Sequence, residues 1–183
     1  MNHAHWSGLV LSIYPTTRGF AYALFEGPMS PVDWGVKEVR GPRKNARCLD
    51  RISKIIERYQ PDTLVIEDCF QKDSRRSARI RRLNRATETI ARSQAIDVFS
   101  YSRPQVRQCF EKVGASTKYE IAHAISRLIP ALSHRMPPTR KAWMSEDARM
   151  SLFDAASLAW AFYLRGCGPP GEHYQSVAEI CQD

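Results

Sequence analysis

The chain has 183 residues, 43% hydrophobic and 25% charged, which is enough for one well-buried core and short for two. Its 27 Lys and Arg against 19 Asp and Glu leave a net charge of +8, which favours a polyanionic partner. No window approaches the ~18 apolar residues of a membrane span, the opening lacks the apolar run of a signal peptide, and five cysteines without a C-x-x-C pair suggest neither a disulfide framework nor a zinc site.

A soluble, cytoplasmic, single-domain protein is therefore expected, with a mobile start at residues 1–8, one domain over 9–165 and a tail over 166–183 of little core-forming character. Leu9 to Tyr14 reads as a first strand closed by Pro15-Thr16-Thr17. Gly19 to Glu26, alternating large and small side chains, reads as a second strand, and the segment around Val32 to Val39 as a third. Three hairpin-linked strands make an antiparallel meander.

From Asn45 to Tyr59, Leu49, Ile52, Ile55 and Ile56 recur at helical spacing. Leu64-Val65-Ile66-Glu67-Asp68 follows Pro61-Asp62 and reads as a short strand buried on both faces and ending in two carboxylates. A charge at the end of a buried strand is costly without a cleft, a partner or a metal, which makes Glu67 a candidate site residue. Asp68 is expected to point to the opposite face.

Ser74 to Ala95 reads as an amphipathic helix with Ile80, Leu83, Thr87 and Ile90 on one stripe and Arg75, Arg79, Arg82, Arg85 and Arg92 on another. Between Lys72 and Arg85 stand seven basic residues and one acid, Asp73. Such a run repels itself unless an anion is present, so Arg75, Arg76, Arg79, Arg82 and Arg85 are candidate phosphate contacts. A solvated helix face is the bland alternative.

Ile96 to Tyr101 is a further strand, Ser102-Arg103-Pro104-Gln105 opens a helix, and Gly114-Ala115-Ser116-Thr117 turns into another over Lys118 to Leu128. Pro130 to Trp143 reads as a basic loop in which Arg140 and Lys141 extend the phosphate track. Phe70 and Trp143 could stack on bases, although core packing is the more common use of either. Ser145 is read as the N-cap of a last helix running to about Arg165, with Glu146 and Asp147 in its first turn. The order β-β-β-α-β-α-β-α-α-α implies an α/β fold with a mixed sheet and helices on both faces.

Convergent carboxylates holding two divalent ions are one way to hydrolyse a phosphodiester. Asp147 and Asp154, seven residues apart, fall near one line of the last helix, and Asp154 sits among small residues that would let the helix pack closely on a sheet. The five histidines show no metal spacing, and no G-x-x-x-x-G-K phosphate loop occurs.

Several runs share an order with one family: the first strand and its aromatic-rich hairpin, Leu64-Val65-Ile66-Glu67, Tyr101-Ser102-Arg103-Pro104-Gln105-Val106-Arg107, Gly114-Ala115-Ser116-Thr117-Lys118 and Asp154-Ala155-Ala156. From about Leu9 to Arg165 the chain resembles the RuvC-type Holliday junction resolvases of the RNase H-like superfamily. The resemblance implies an RNase H-like fold, a homodimer acting on branched DNA in recombination and repair, and a Mg²⁺- or Mn²⁺-dependent endonuclease. Glu67 and Asp154 match family metal ligands, with Asp147 a substitute for an acid replaced by Ser157, and Lys118 matches a basic residue near the site. Tyr14 stands where the family has an aspartate bridging both metals. Two readings stay open: a nuclease using Glu67, Asp154, Asp147 and Lys118, and a nucleic-acid-binding or scaffold module that has lost turnover. An RNA-processing relative is a third.

Overall fold

The computed structural model describes residues 8–71, 74–141 and 143–165. The expectations for residues 1–7 and for the tail from residue 166 fall outside the described residues. The element order is β1 (Val10–Pro15), β2 (Gly19–Gly27), β3 (Ser30–Glu38), α1 (Lys44–Tyr59), β4 (Thr63–Glu67), α2 (Ala78–Ser93), β5 (Asp97–Tyr101), α3 (Arg103–Phe110), a 3-10 turn (Glu111–Val113), α4 (Lys118–Leu128), α5 (Pro130–Ser133) and α6 (Met150–Arg165). The five strands form one sheet in the order β3-β2-β1-β4-β5. The meander β1-β2-β3 is antiparallel, whereas β4 and β5 run parallel to β1. The expected mixed α/β sheet is present.

Strand alternation sorts the core into two layers. Leu11, Ile13, Leu24, Leu64 and Ile66 point to the face covered by α1 and α2, where they meet Ile52, Ile56 and Leu83. Val10, Tyr14, Ala21, Ala23 and Val65 point to the other face, under α6 and the helices packed around it. Ala21 and Ala23 are fully buried and have no bulk, so the alanine row Ala155, Ala156 and Ala159 of α6 can lie close against the sheet. The same alternation carries Glu67 to the α6 side. A buried strand thus delivers its terminal acid to the helix that carries Asp154.

Three expectations about elements change. Ser74 to Ser77 are not helical; α2 starts at Ala78, with the Ser77 side chain accepting from the Ile80 backbone N–H. The loop expected from Pro130 contains the short helix α5. The last helix starts at Met150 rather than near Ser145. Asp147 Oδ1 accepts from the Arg149 backbone N–H at 2.9 Å, and both of its oxygens hold the Arg149 guanidinium at 3.0 and 2.7 Å. That local turn satisfies the backbone in a non-helical path until Met150 N–H reaches the Asp147 carbonyl.

Candidate functional site

The C-terminal ends of the parallel strands β1, β4 and β5 open on one crevice, the usual ligand position of an open α/β sheet. β1 delivers Tyr14 and β4 delivers Glu67, whose backbone is in register with Tyr101 of β5. Two residues past β5, a capping box at α3, with Ser102 and Gln105 bonding reciprocally, fixes Arg103 in the first turn. A second capping box, Thr117 with Glu120, fixes Lys118 at the start of α4. Gly114, at φ 70°, sits in the left-handed region and lets the preceding 3-10 turn reverse into that cap. α6 brings Asp154, the one acidic residue in a helix that is otherwise almost wholly buried.

Glu67 is 4% exposed and is gripped from two sides. Arg76 donates Nε–H to Oε2 at 2.6 Å and adds a second contact through Nη2; Arg103 donates Nε–H to Oε1 at 3.0 Å. Arg103 also donates from Nη2 to the Tyr14 hydroxyl at 2.9 Å. Lys118 Nζ lies 2.8 Å from Asp154 Oδ2 and 2.6 Å from Glu146 Oε1. The Tyr14 ring completes the cluster, with the Arg76 guanidinium 4.5 Å and the Lys118 ammonium 5.8 Å from its centroid.

The protonation states follow from these contacts. Burial, reinforced by Asp154, pushes the Tyr14 phenol up to about 12, so it is neutral at physiological pH. Burial also raises Asp154, with Lys118 acting against it. For Lys118 burial works against the charge, but Asp154 outweighs it and the ammonium is held above its ordinary value. Burial opposes the Arg103 charge as well, and is outweighed by the hydrogen-bonded Tyr14 hydroxyl and by Glu67.

The structure therefore brings Glu67, Asp154 and Lys118 together. Asp147 lies on the rim of the same crevice but is committed to Arg149. It is not on the helix line with Asp154 that the seven-residue spacing suggested. Among the described residues no group of three or more His, Cys, Asp or Glu is arranged to hold a metal ion.

The donor set explains why. Three carboxylates reach the cluster, but Glu67 is paired with Arg76 and Arg103, Asp154 and Glu146 share Lys118, and the corner delivered by β1 is a buried neutral phenol, a poor ligand for Mg²⁺. The residues three before and three after Asp154, Ser151 and Ser157, supply no further acid. A pair of divalent cations placed among Arg76, Arg103 and Lys118 would meet like charge on three sides. The residues present do not fit a two-metal centre.

The arginine run does not form one face. Arg76 enters the site from the segment before α2. Arg79 is spent on structure, donating to Asn45 Oδ1 at 2.9 Å and to the Thr16 carbonyl in the β1–β2 turn. Arg85 lies over the Phe70 ring at 4.9 Å, Arg92 pairs with Glu88, and Arg75 and Arg82 are exposed. Arg140 is exposed, and the Lys141 ammonium sits 5.3 Å from the Trp143 ring centroid. Phe70 and Trp143 are 50% and 80% exposed, so neither packs in the core as expected. Sequence reasoning passed over Arg103 and Glu146. The signal for Arg103 was its place immediately after β5, beside the strand that ends in Glu67.

Comparison with known proteins decides the family. Residues 29–142, more than half of the chain, match the model of Crossover junction endodeoxyribonuclease RuvC. The chain belongs to the RuvC family. It is 28% identical over 133 residues to the RuvC of Teredinibacter turnerae, covering 66% of this chain and 75% of that one. It is 32% identical over 89 residues to the RuvC of Shewanella oneidensis, covering 48% and 51%. In fold it is similar to Thermus thermophilus RuvC in complex with a Holliday junction substrate, with a TM-score of 0.61 and 16% identity over 84% of this chain and 92% of that one. The yeast mitochondrial Holliday junction resolvase Ydc2 matches with a TM-score of 0.57 and 15% identity, over 93% and 85%. These likenesses establish the RNase H-like fold expected from the resemblance. Among the described residues no helix is long and apolar enough to cross a membrane.

Proposed function

We propose that this RuvC-family protein binds branched DNA and does not cut it. Of the two readings left open by the sequence, the binding module is the one this site favours. The observation that carries it is the pairing of Glu67 with Arg76 and Arg103 and of Asp154 with Lys118. A phosphodiesterase of this fold needs those carboxylates free to hold metal and make water nucleophilic. Here they organise guanidinium and ammonium groups instead. The family relationship, a net charge of +8 and the exposed Arg75, Arg82, Arg85, Arg140 and Lys141 supply the case for DNA. Phe70, exposed at the end of the β4 segment beneath Arg85, offers a stacking platform for a base unpaired at a branch point. The reading includes a homodimer, because a two-fold symmetric junction is matched by two copies of one chain.

The test is an incubation of labelled four-way junction, linear duplex and matched RNA with the protein, with Mg²⁺ or Mn²⁺ present. Retarded junction with no shortened strand is the expected result, with a dimer seen by light scattering. Metal-dependent cleavage that disappears in Glu67→Gln would make the protein a nuclease. Preference for RNA would move it to an RNA-directed role.

A further inference from the structure

The misfit between this site and divalent metal points to what the crevice does instead, granted that the protein binds DNA as proposed above. The cavity on the outer side of Glu67, about 510 Å³, is lined by Arg75, Arg76, Arg103 and Arg107 against only Glu67 and Asp68. Arg76 is spent on Glu67 and largely buried, its side chain 14% exposed; that of Arg103 is 52% exposed and lines the cavity. Among the described residues the Arg75 and Arg107 side chains have no hydrogen-bond or ion-pair partner. On the other side of Tyr14 the neighbouring cavity mixes signs: Arg18, likewise without a side-chain partner among the described residues, and Lys118 share it with Glu38, Glu146, Asp147 and Asp154. In the cavity beside Glu67 positive charge therefore exceeds negative charge, four guanidiniums against two carboxylates, the arrangement expected where the missing counter-charge comes from a ligand.

We infer that Arg103, supported by Glu67 and the Tyr14 hydroxyl, forms with Arg107 and Arg75 a receptor for a DNA backbone phosphate that works without any divalent ion. Glu67 and Tyr14 are positioning residues: they hold Arg103 through Nε and Nη2 and leave Nη1 for the phosphate oxygens. A planar guanidinium fixed in this way can offer paired N–H groups to one phosphate. Tyr14 suits this role better than an aspartate would. It accepts a hydrogen bond from Arg103 while adding no negative charge beside an incoming phosphate. One consequence is that Tyr14→Asp alone does not create a metal centre, because the new carboxylate would be surrounded by Arg76, Arg103 and Lys118 and pair with them.

The experiment measures fluorescence anisotropy of a labelled four-way junction with the full chain, in EDTA and in Mg²⁺ at matched ionic strength. Affinity in EDTA is expected to equal that in Mg²⁺ within about twofold, with Arg103→Ala and Arg107→Ala each lowering EDTA affinity about tenfold and reducing the salt slope by about one. Arg103→Lys keeps a charge but loses the fork, and should recover only part of the loss. Circular dichroism confirms that each variant is folded. Mn²⁺ titration followed by electron paramagnetic resonance is expected to show no tight binding to wild type or to Tyr14→Asp. Binding that requires Mg²⁺, tight Mn²⁺ uptake, or EDTA affinity unchanged in both folded alanine variants would overturn the receptor while leaving junction binding intact. Failure to bind any branched DNA would instead overturn the functional proposal itself.

Discussion

Two carboxylates on opposite faces of the same sheet are held by phenols and cations in very different ways. Asp33 of β3 accepts the hydroxyl protons of Tyr22 and Tyr59 at 2.9 and 2.7 Å, while its other oxygen accepts the Trp34 backbone N–H at 2.9 Å. Every hydrogen-bond donor there is neutral, the Lys37 ammonium and the Arg58 guanidinium lying only over the two phenol rings, and the cluster ties β2, β3 and α1 together. Glu67 is held by two guanidiniums, and the Tyr14 phenol beside it accepts from a cation rather than donating to the acid. Beside that cluster the cavity is lined by Arg75 and Arg107, whose side chains have no hydrogen-bond or ion-pair partner among the described residues. Neutral donors bonded to the acid make a lock, whereas guanidiniums bonded to it, one of them half-exposed to the cavity, make a receptor.

The largest expected effect separates the two by stability. Removing Glu67 leaves the Arg76 guanidinium nearly buried against Tyr14 with no counter-charge, and breaking a buried pair in this way costs about 3 kcal/mol. Urea unfolding of Glu67→Ala should register that loss, and Glu67→Gln, which keeps an acceptor oxygen, about half of it. A neutral Glu67→Ala would mean that Arg76 escapes to solvent, and the cluster would then be no more than a surface network.

The second effect is smaller and falls on the lock. Asp33→Ala orphans the Tyr22 hydroxyl, whose residue is 4% exposed, and should cost about 1–2 kcal/mol in the same assay. Junction affinity should not change, because Asp33 and its tyrosines lie on the α1 side of the sheet, away from the Glu67 crevice. Equal losses of DNA binding in Asp33→Ala and Arg103→Ala would erase the distinction between the clusters.

Much of this was legible in the residues. The strand Leu64–Glu67, the helix from Lys118 to Leu128 and the three-strand meander each carry a local signal, whether a β-branched run, a cap or an alternation of large and small side chains. The convergence of Glu67, Asp154 and Lys118 followed from a resemblance in their order. What could not be read was pairing. The stripe drawn through Arg75, Arg79 and Arg82 assumed one helix, but Ser77 caps α2 after Arg75 and Arg76, freeing Arg76 to turn into the site. Asp147 was placed by spacing along a helix that had not yet begun. Which of several nearby cations reaches an acid depends on tertiary approach, and a one-dimensional pattern carries no information about that.

The smallest effect probes the phenols themselves. Tyr14 is held near 12 chiefly by burial, Tyr22 is raised chiefly by burial and then by its hydrogen bond to Asp33, and Tyr59 is raised chiefly by that bond. A raised phenol favours the neutral form in the folded state, so its contribution to stability is complete below pH 10 and is lost as pH rises towards the folded value. Absorbance of ionised tyrosine should therefore show these three groups lagging behind ordinary tyrosines in an alkaline titration. In Asp33→Ala, Tyr59 should move back towards the ordinary range, Tyr22 should keep the part of its lag that burial causes, and Tyr14 should not move. In Tyr14→Phe only the Tyr14 component should vanish. If removing Asp33 also advanced Tyr14, the two carboxylates would be coupled through the sheet, and the lock and the receptor would be one electrostatic unit rather than two.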